Sequence, residues 1–162
     1  MARAKAISGR RINPETPGES LMVVEFLLSP ERYGIESACV SEVLSLKEIT
    51  QIPGAPAFVT GVMNVRGKII SILNLKLLFS LKVIGLTELN KIILLKRDQM
   101  EFGIVTDAIA GTRKVFLNTL STPPATLHGI EAEYIKGITP DGLILLDGAH
   151  LLENKSLIVN QK

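Results

Sequence analysis

Few side chains in this sequence have the chemistry of metal ligands or nucleophiles. The histidines are His128 and His150, and the single cysteine is Cys39. Neither histidine has another one four residues away and no second cysteine exists, so the ligand spacing of a zinc site is missing. Cys39 adjoins Val40 in an apolar stretch, which favours a buried and unreactive thiol. An enzyme that uses the Cys39 thiol is the alternative, and thiolate-selective labelling at neutral pH would reveal it.

One segment superficially resembles a phosphate-binding loop, Gly61-Val62-Met63-Asn64-Val65-Arg66-Gly67-Lys68. Its glycines are separated by five residues, whereas that loop has about four, and Ile69 stands where a Ser or Thr would reach Mg²⁺. The segment also lies between two predicted strands, so no helix N-terminus is available to hold a phosphate. We therefore expect no nucleotide site here.

The carboxylates do not form a catalytic group either. Asp98, Glu101 and Asp107 are close in sequence, but alternate residues of a strand point to opposite faces, which separates their side chains. Asp141 and Asp147 flank a predicted hairpin, where aspartate is a common turn residue. No Gly-x-Ser-x-Gly motif occurs. Without a nucleophile, a base and an orienting group, the sequence predicts a protein that is not an enzyme and holds no cofactor or metal ion.

Length and charge exclude further classes. With 162 residues, 46% of them hydrophobic, the chain can bury a core and is too apolar for a disordered protein. The 18 basic residues nearly balance the 16 acidic ones and tryptophan is absent, which argues against a nucleic-acid partner. No apolar run is long enough for a membrane helix, so we expect no membrane insertion. The basic N-terminal residues are not followed by the apolar segment of a secretory signal, and the thiol is single, so we expect a cytoplasmic location. A small-barrel nucleic-acid-binding protein with residues 1–20 as a basic arm is kept as an alternative.

The secondary structure that must position any functional site consists of short apolar segments between turn residues. Their lengths and spacing are typical of small β-barrels or sandwiches. Helical periodicity is weak, and brief helices are expected only at 73–79, 148–152 and 38–46, with proline loops at 51–56 and 121–126. Four hairpins are predicted, with strands at 21–28 and 33–35, 58–65 and 68–75, 92–95 and 102–105, and 134–138 and 143–146.

The order of these signals repeats along the chain. Arg32-Tyr33-Gly34-Ile35 is matched 69 residues later by Glu101-Phe102-Gly103-Ile104. Phe58-Val59-Thr60-Gly61-Val62 is matched by Tyr134-Ile135-Lys136-Gly137-Ile138. One copy of about 60 residues is too small to bury much alone. The repeat therefore predicts two related β modules, about 21–85 and 86–155, that share one core.

With no catalytic group, an interaction surface is the best remaining function. Arg66 lies beside Gly67 at a predicted hairpin turn, and Val40, Glu42 and Val43 form a mixed apolar and acidic strip. On the residues alone, a solvated loop arginine is the favoured interpretation of Arg66, and half-buried strand packing is the simple interpretation of the strip.

The signature that decides between these interpretations spans residues 52–70. It combines the proline loop Pro53-Gly54-Ala55-Pro56, then Phe58, Gly61-Val62, and Asn64-Val65-Arg66-Gly67 before an apolar strand. This order resembles the CheW family. The resemblance continues in register through Tyr33-Gly34-Ile35, Phe102-Gly103-Ile104-Val105-Thr106-Asp107 and Tyr134-Ile135-Lys136-Gly137-Ile138, and it runs from about Leu21 to Leu152.

The resemblance implies an all-β fold of two pseudo-repeated, five-stranded SH3-like β-barrels packed over a shared core, with a few short helices. On this interpretation, residues 21–155 form a single CheW-like domain. Residues 1–20 are then a flexible basic N-terminal arm, and 156–162 a C-terminal tail.

The implied function is that of a cytoplasmic chemotaxis adaptor without catalysis or cofactor. Such an adaptor couples the cytoplasmic tips of methyl-accepting chemoreceptors to the regulatory domain of the histidine kinase CheA. It would be a monomer when free and would be recruited to the membrane-associated receptor array. The alternative within the family is a paralogue that serves another chemosensory pathway, such as pilus or gliding motility.

The family also implies which residues contact the kinase and the receptor. By position they are Val40, Glu42, Val43, Gly61, Asn64, Arg66, Gly103, Ile109 and Thr112. This chain departs from the family pattern at two places. Thr112 stands where an aliphatic residue is commoner, and Asn74-Leu75-Lys76 replaces the usual Asp-Leu-Arg. Because lysine lacks the bidentate guanidinium fork, we expect any buried ion pair of Lys76 to be weaker than that of an arginine, or absent.

Overall fold

The computed structural model describes residues 18–79, 81, 89–122, 133–154 and 157. Within these ranges the chain forms ten strands and two short α-helices. The strands are β1 (Ser20–Leu28), β2 (Glu31–Glu36), β3 (Val40–Ser45), β4 (Val59–Val65), β5 (Lys68–Leu73), β6 (Lys91–Arg97), β7 (Met100–Thr106), β8 (Ala108–Phe116), β9 (Ile135–Ile138) and β10 (Ile144–Leu146). The helices are α1 (Leu75–Leu78) and α2 (Gly148–Glu153), and single 3-10 turns lie at Ser37–Cys39 and Leu117–Thr119.

Turn chemistry sets the ends of the hairpins. Between β4 and β5, Arg66 and Gly67 both have positive φ, 52° and 84°, which suits the tight turns whose twist matches that of paired strands. Asn64 Oδ1 accepts a hydrogen bond of 2.8 Å from the Gly67 N–H and holds this turn closed. The four predicted hairpins are confirmed as β1–β2, β4–β5, β6–β7 and β9–β10.

The strands form two five-stranded sheets, ordered β8-β1-β2-β10-β9 and β3-β6-β7-β5-β4. We call them barrel A and barrel B. Strands β6 to β10 take the same relative places as β1 to β5, which confirms the internal repeat. Each barrel, however, combines the first hairpin of one repeat with the last three strands of the other. The predicted modules 21–85 and 86–155 therefore describe the sequence repeat and not the barrels, because a repeat does not show which copy a strand pairs with.

Two short backbone bridges extend the sheets toward closure at equivalent places. In barrel B, Thr50 and Val62 exchange two N–H···O hydrogen bonds of 2.8 Å. In barrel A, Ser121 and Ile138 exchange two of 2.9 Å. Each bridge joins the segment after the edge strand β3 or β8 to the opposite edge strand, β4 or β9. The edges are thus covered by the chain's own backbone.

Buried apolar side chains form three clusters. Barrel B encloses a cluster that includes Met63, Ile72 and Ile92, and barrel A encloses a smaller one around Val23 and Leu145. The largest cluster takes residues from strands of both barrels and from both helices, among them Phe26, Tyr33, Phe102, Tyr134 and Leu151. This shared core matches the arrangement that the resemblance implies.

The helices at 73–79 and 148–152 are confirmed as α1 and α2. Asn74 and Asp147 cap them, each accepting a hydrogen bond of 3.0 Å from a backbone N–H of the first turn. Residues 38–46 are not a helix: the Ser37–Cys39 turn leads directly into β3, whose burial alternates from residue to residue as in a half-buried strand. Strand β8 also alternates, but its Ala, Gly and charged residues conceal it from a search for apolar runs.

The ends of the domain differ slightly from the prediction. Strand β1 begins at Ser20, and Leu157, from the predicted tail 156–162, is buried in the shared core. Residues 1–17 of the predicted arm, most of the predicted loop 121–126, and His128 lie outside the described residues. In the part of the chain that the structure describes, no helix is long and apolar enough to span a bilayer.

Candidate partner-binding site

The edge of barrel B brings together two residues that are distant in sequence. Glu42 lies on β3 just after a bulge between Val40 and Glu42, and Arg66 lies in the β4–β5 turn. Both terminal guanidinium nitrogens of Arg66 face the Glu42 carboxylate: Nη1 donates to Oε1 at 3.3 Å and Nη2 donates to Oε2. Two of the predicted contact residues therefore form one bidentate ion pair.

The Glu42–Arg66 ion pair is open to solvent. The Arg66 side chain is 70% exposed and that of Glu42 is 29% exposed. The hydrogen bond from Arg66 lowers the pKa of Glu42 below its ordinary value, and the same contact raises the pKa of Arg66. Because exposed ion pairs contribute little to folding stability, the fold does not depend on this one.

Apolar side chains on the same barrel are exposed as well. Val43 follows Glu42 on β3 and Ile69 lies on β5, with 43% and 53% of their surfaces exposed. Val40 is half-buried against the shared core. Asn64 and Ile69 line a cleft of about 400 Å³ together with Lys47, Glu48, Thr50 and Val62. Exposed apolar side chains beside paired charges are typical of protein interfaces.

The two glycines among the predicted contact residues are buried. A Cβ on Gly61 would lie 2.3 Å from the Thr50 carbonyl oxygen. A Cβ on Gly103 would lie 2.8 Å from Ile92 Cγ2 and 2.9 Å from Ile72 Cδ1. Glycine at these two positions therefore allows close packing inside barrel B. A substitution there would affect partner binding only indirectly, by changing the shape of the barrel.

Ile109 and Thr112 lie on barrel A, on strand β8, which occupies the place that β3 has in barrel B. They are the counterparts of Val40 and Val43. Ile109 is half-buried against the shared core and Thr112 is exposed. Two of the predicted contact residues on each barrel thus occupy equivalent places on the edge strands β3 and β8.

Barrel A carries an ion pair of its own between its edge strand and its hairpin turn, with the charges reversed. Arg113 on β8 donates to both carboxylate oxygens of Asp141 in the β9–β10 turn, at 2.8 Å each. Glu25 and Arg32 extend the pair into a network, with Arg32 Nη1 donating to Glu25 Oε2 at 3.0 Å. This network is not predictable from the sequence, in which Asp141 has the simple interpretation of a turn residue.

The Asp141 contacts predict an acid-sensitive contribution to stability. Hydrogen bonds from Arg113 and then Thr139 hold the pKa of Asp141 well below its ordinary value. A depressed pKa in the folded state stabilises the fold above the unfolded pKa of about 3.9, and this contribution is lost as pH falls further. We expect the urea midpoint to fall more steeply between pH 5 and pH 3 for the wild type than for Asp141→Asn. Parallel curves would contradict the assignment.

The remaining reactive groups are already engaged or buried. Burial raises the pKa of the Cys39 thiol, which does not favour a nucleophilic thiolate. Glu101 pairs with Lys68 at 2.7 Å, and Asp107 pairs with Lys76 at 2.6 Å. The last contact shows that an ion pair of Lys76 is present, and it joins one nitrogen to one oxygen without the bidentate fork of an arginine.

Within the described ranges, no group of three His, Cys, Asp or Glu side chains is placed to hold a metal ion. The four arginines of those ranges, Arg32, Arg66, Arg97 and Arg113, each pair with a carboxylate. Their charges therefore do not form the unpaired cationic stripe that binding to a nucleic-acid backbone requires.

Comparisons with known proteins identify what this arrangement is similar to. Residues 22–156 match the family model described as CheW-like domain. The chemotaxis protein CheW of Treponema pallidum is 34% identical over 97% of this chain and 96% of its own length. The chemotaxis protein CheW of Klebsiella aerogenes is 30% identical over 88% of this chain and 87% of its own length. The crystal structure of the scaffolding protein TtCheW from Thermoanaerobacter tengcongensis superposes with a TM-score of 0.70, at 30% identity, over 79% of this chain and 89% of that one.

Proposed function

The chain belongs to the CheW-like family, and from this premise we propose that it is a chemotaxis scaffold that couples methyl-accepting chemoreceptors to the histidine kinase CheA. It is not an enzyme, as this is a family of non-catalytic adaptors. The relatives are chemotaxis and scaffolding proteins by name, and the match to them covers nearly the whole folded chain.

The observation that carries the proposal is the exposed surface on β3 and the β4–β5 turn. It presents two features, the exposed Val43 and, one residue earlier on β3, Glu42 in its ion pair with Arg66. In protein interfaces, buried apolar anchors supply most of the binding energy, whereas charges set register and guide encounter. Val40 and Val43 have the first role in our proposal, and Glu42 and Arg66 the second.

A scaffold that couples two partners needs two surfaces, and the repeat supplies a second one. Ile109 and Thr112 on β8 stand on barrel A where Val40 and Val43 stand on barrel B. In our proposal one of these two surfaces receives the amphipathic tip of a receptor helical hairpin. We place the chain in the cytoplasm, as a monomer when free, and at the membrane only through its receptor partners.

A second candidate is an adaptor of the same kind for a chemosensory pathway other than flagellar chemotaxis, such as pilus or gliding motility. The observation that favours it is Thr112, which is exposed on β8 and polar where an aliphatic residue is commoner. A polar residue at this edge would select a receptor of different surface chemistry.

The test is recovery of partners from native cell extract with tagged full-length chain, followed by mass spectrometry. We expect a CheA-type kinase and methyl-accepting receptors, and the identity of the receptors would distinguish the two pathways. The same capture with Arg66→Glu provides a matched control for binding through barrel B. Recovery of nucleic acid, with neither kinase nor receptor, would overturn the proposal.

A further inference from the structure

One residue joins the two barrels between β7 and β8. Strand β7 belongs to barrel B and ends at Thr106, and strand β8 belongs to barrel A and begins at Ala108. Asp107 is the link between them. Its backbone N–H donates to the Leu27 carbonyl oxygen at 2.9 Å, at the end of β1, so the link is already fixed against barrel A.

The Asp107 carboxylate gathers contacts from both barrels. Its Oδ2 accepts a hydrogen bond of 2.7 Å from the Ser29 N–H, in the β1–β2 turn of barrel A. The same oxygen lies 2.6 Å from Lys76 Nζ. Lys76 belongs to α1, which follows β5 of barrel B. One carboxylate oxygen therefore ties the turn of one barrel to the helix that leaves the other.

Lys76 is buried, and within the described residues its ammonium group has the ion pair with Asp107 but no hydrogen-bond partner. The residue is 3% exposed. Its backbone N–H donates to Asn74 Oδ1 at 3.0 Å, and its carbonyl oxygen accepts a hydrogen bond of 2.7 Å from the Leu81 N–H. A buried charge of this kind is costly unless it is paired, so movement of α1 away from Asp107 is opposed.

The shared core alone would fix the barrels less tightly. Apolar contact is favourable but non-directional, so a core between two barrels tolerates small shifts of one against the other. A buried ion pair seldom adds net stability over an apolar replacement, and its best-attested use is to select one register.

We propose that the Lys76–Asp107 ion pair is a positioning device that fixes the orientation of barrel A against barrel B. Asp107 immediately precedes β8, so the ion pair also fixes the position of Ile109 and Thr112 on that strand. Their position is thereby fixed relative to Val40 and Val43 on β3. Its effect on partner binding rests on the function proposed above, whereas its effect on the orientation of the barrels does not.

The test compares three variants with the wild type. Lys76→Met removes the charge but keeps an unbranched side chain. Lys76→Met with Asp107→Asn removes both charges and keeps an oxygen for the Ser29 N–H. Lys76→Arg is the conservative control. Barrel orientation is measured by pulsed electron paramagnetic resonance between spin labels at Gln99→Cys and Lys114→Cys in a Cys39→Ala background, because these exposed residues lie on different barrels.

We expect Lys76→Met and the double variant both to shift or broaden the distance distribution. Both should also lose affinity for purified CheA regulatory domain or receptor cytoplasmic fragment by about 2-fold to about 30-fold, the range of coupling through a positioning residue. The double variant should regain the urea midpoint, because no unpaired buried charge is left. Lys76→Arg should keep the distances and affinity of the wild type.

A double variant with the stability, distances and affinity of the wild type would overturn the proposal, since the pair would then serve stability only. If Lys76→Met does not fold, the double variant decides the matter. If the wild type binds neither kinase nor receptor, the proposed function fails, and the distance measurement still tests the orientation of the barrels.

Discussion

Replacement of Arg66 by glutamate is expected to reduce the affinity of the chain for the kinase or the receptor about tenfold or more, as reversal of an interfacial charge does. The substitution places two carboxylates where the Glu42–Arg66 ion pair now lies. It also reverses the charge that a partner would meet at the tip of the β4–β5 turn. Because Arg66 is exposed and stands outside the three apolar clusters, the fold should persist, with a far-ultraviolet circular dichroism spectrum like that of the wild type.

The charge exchange Glu42→Arg with Arg66→Glu is the matched control. It rebuilds an ion pair within the chain but presents the opposite polarity to a partner. If Arg66 contacts the partner, the exchanged variant should bind as poorly as Arg66→Glu. Titration calorimetry with CheA regulatory domain and with receptor cytoplasmic fragment measures both variants. Wild-type affinity of Arg66→Glu for both partners would remove Arg66 from the site.

Replacement of Gly61 by alanine should lower the free energy of unfolding by about 3 kcal/mol, the upper part of the usual cost of overpacking. The added Cβ would stand 2.3 Å from the Thr50 carbonyl oxygen and 2.6 Å from Ile49 Cγ2. That oxygen accepts the hydrogen bond from the Val62 N–H. The clash is with backbone, which cannot rotate away, so the bridge that closes barrel B must open.

Gly67→Ala separates this effect from conformational strain. Gly67 has a φ of 84°, and a Cβ there would meet nothing within 4 Å. Its replacement should cost about 1 kcal/mol, the price of a left-handed conformation for an L-residue. Urea denaturation of both variants gives the comparison. Equal losses of stability at the two positions would show that the approach of Thr50 to Gly61 is not what requires glycine.

Much of the fold follows from local patterns in the sequence. The hairpins were predictable from short apolar segments on either side of turn residues such as Gly67 and Asp98, because turn chemistry acts over a few residues. The internal repeat was predictable from the spacing of its matching motifs. Strand β8 was less visible, since its Gly111 and charged residues interrupt the apolar pattern that identifies a strand. The exchange of hairpins between the repeats depends on contacts between distant strands, and two equivalent copies offer the same local pattern for either pairing.

In the candidate site, too, the individual residues were predictable from the sequence, whereas their contacts with distant residues were not. Glu42 and Arg66 were each identified by position, but their pairing crosses 24 residues and arises from the meeting of β3 with the β4–β5 turn. The pair of Arg113 and Asp141 could not be found from the repeat, because the repeat aligns Glu42 with Gly111 and Arg113 with Leu44. Lys76 was interpreted from its side-chain geometry alone, whereas its burial beside Asp107 is a property of the packed barrels.

The measurement that tests the central claim most directly is a bridging assay. Membranes that carry the native methyl-accepting receptors are mixed with purified CheA-type kinase, with and without the full-length chain, and the kinase that sediments with the membranes is quantified. Our account predicts that the chain retains the kinase on the membranes and that Arg66→Glu retains much less. Sedimentation of the kinase that is the same with and without the wild-type chain would contradict the proposal that the chain couples the two.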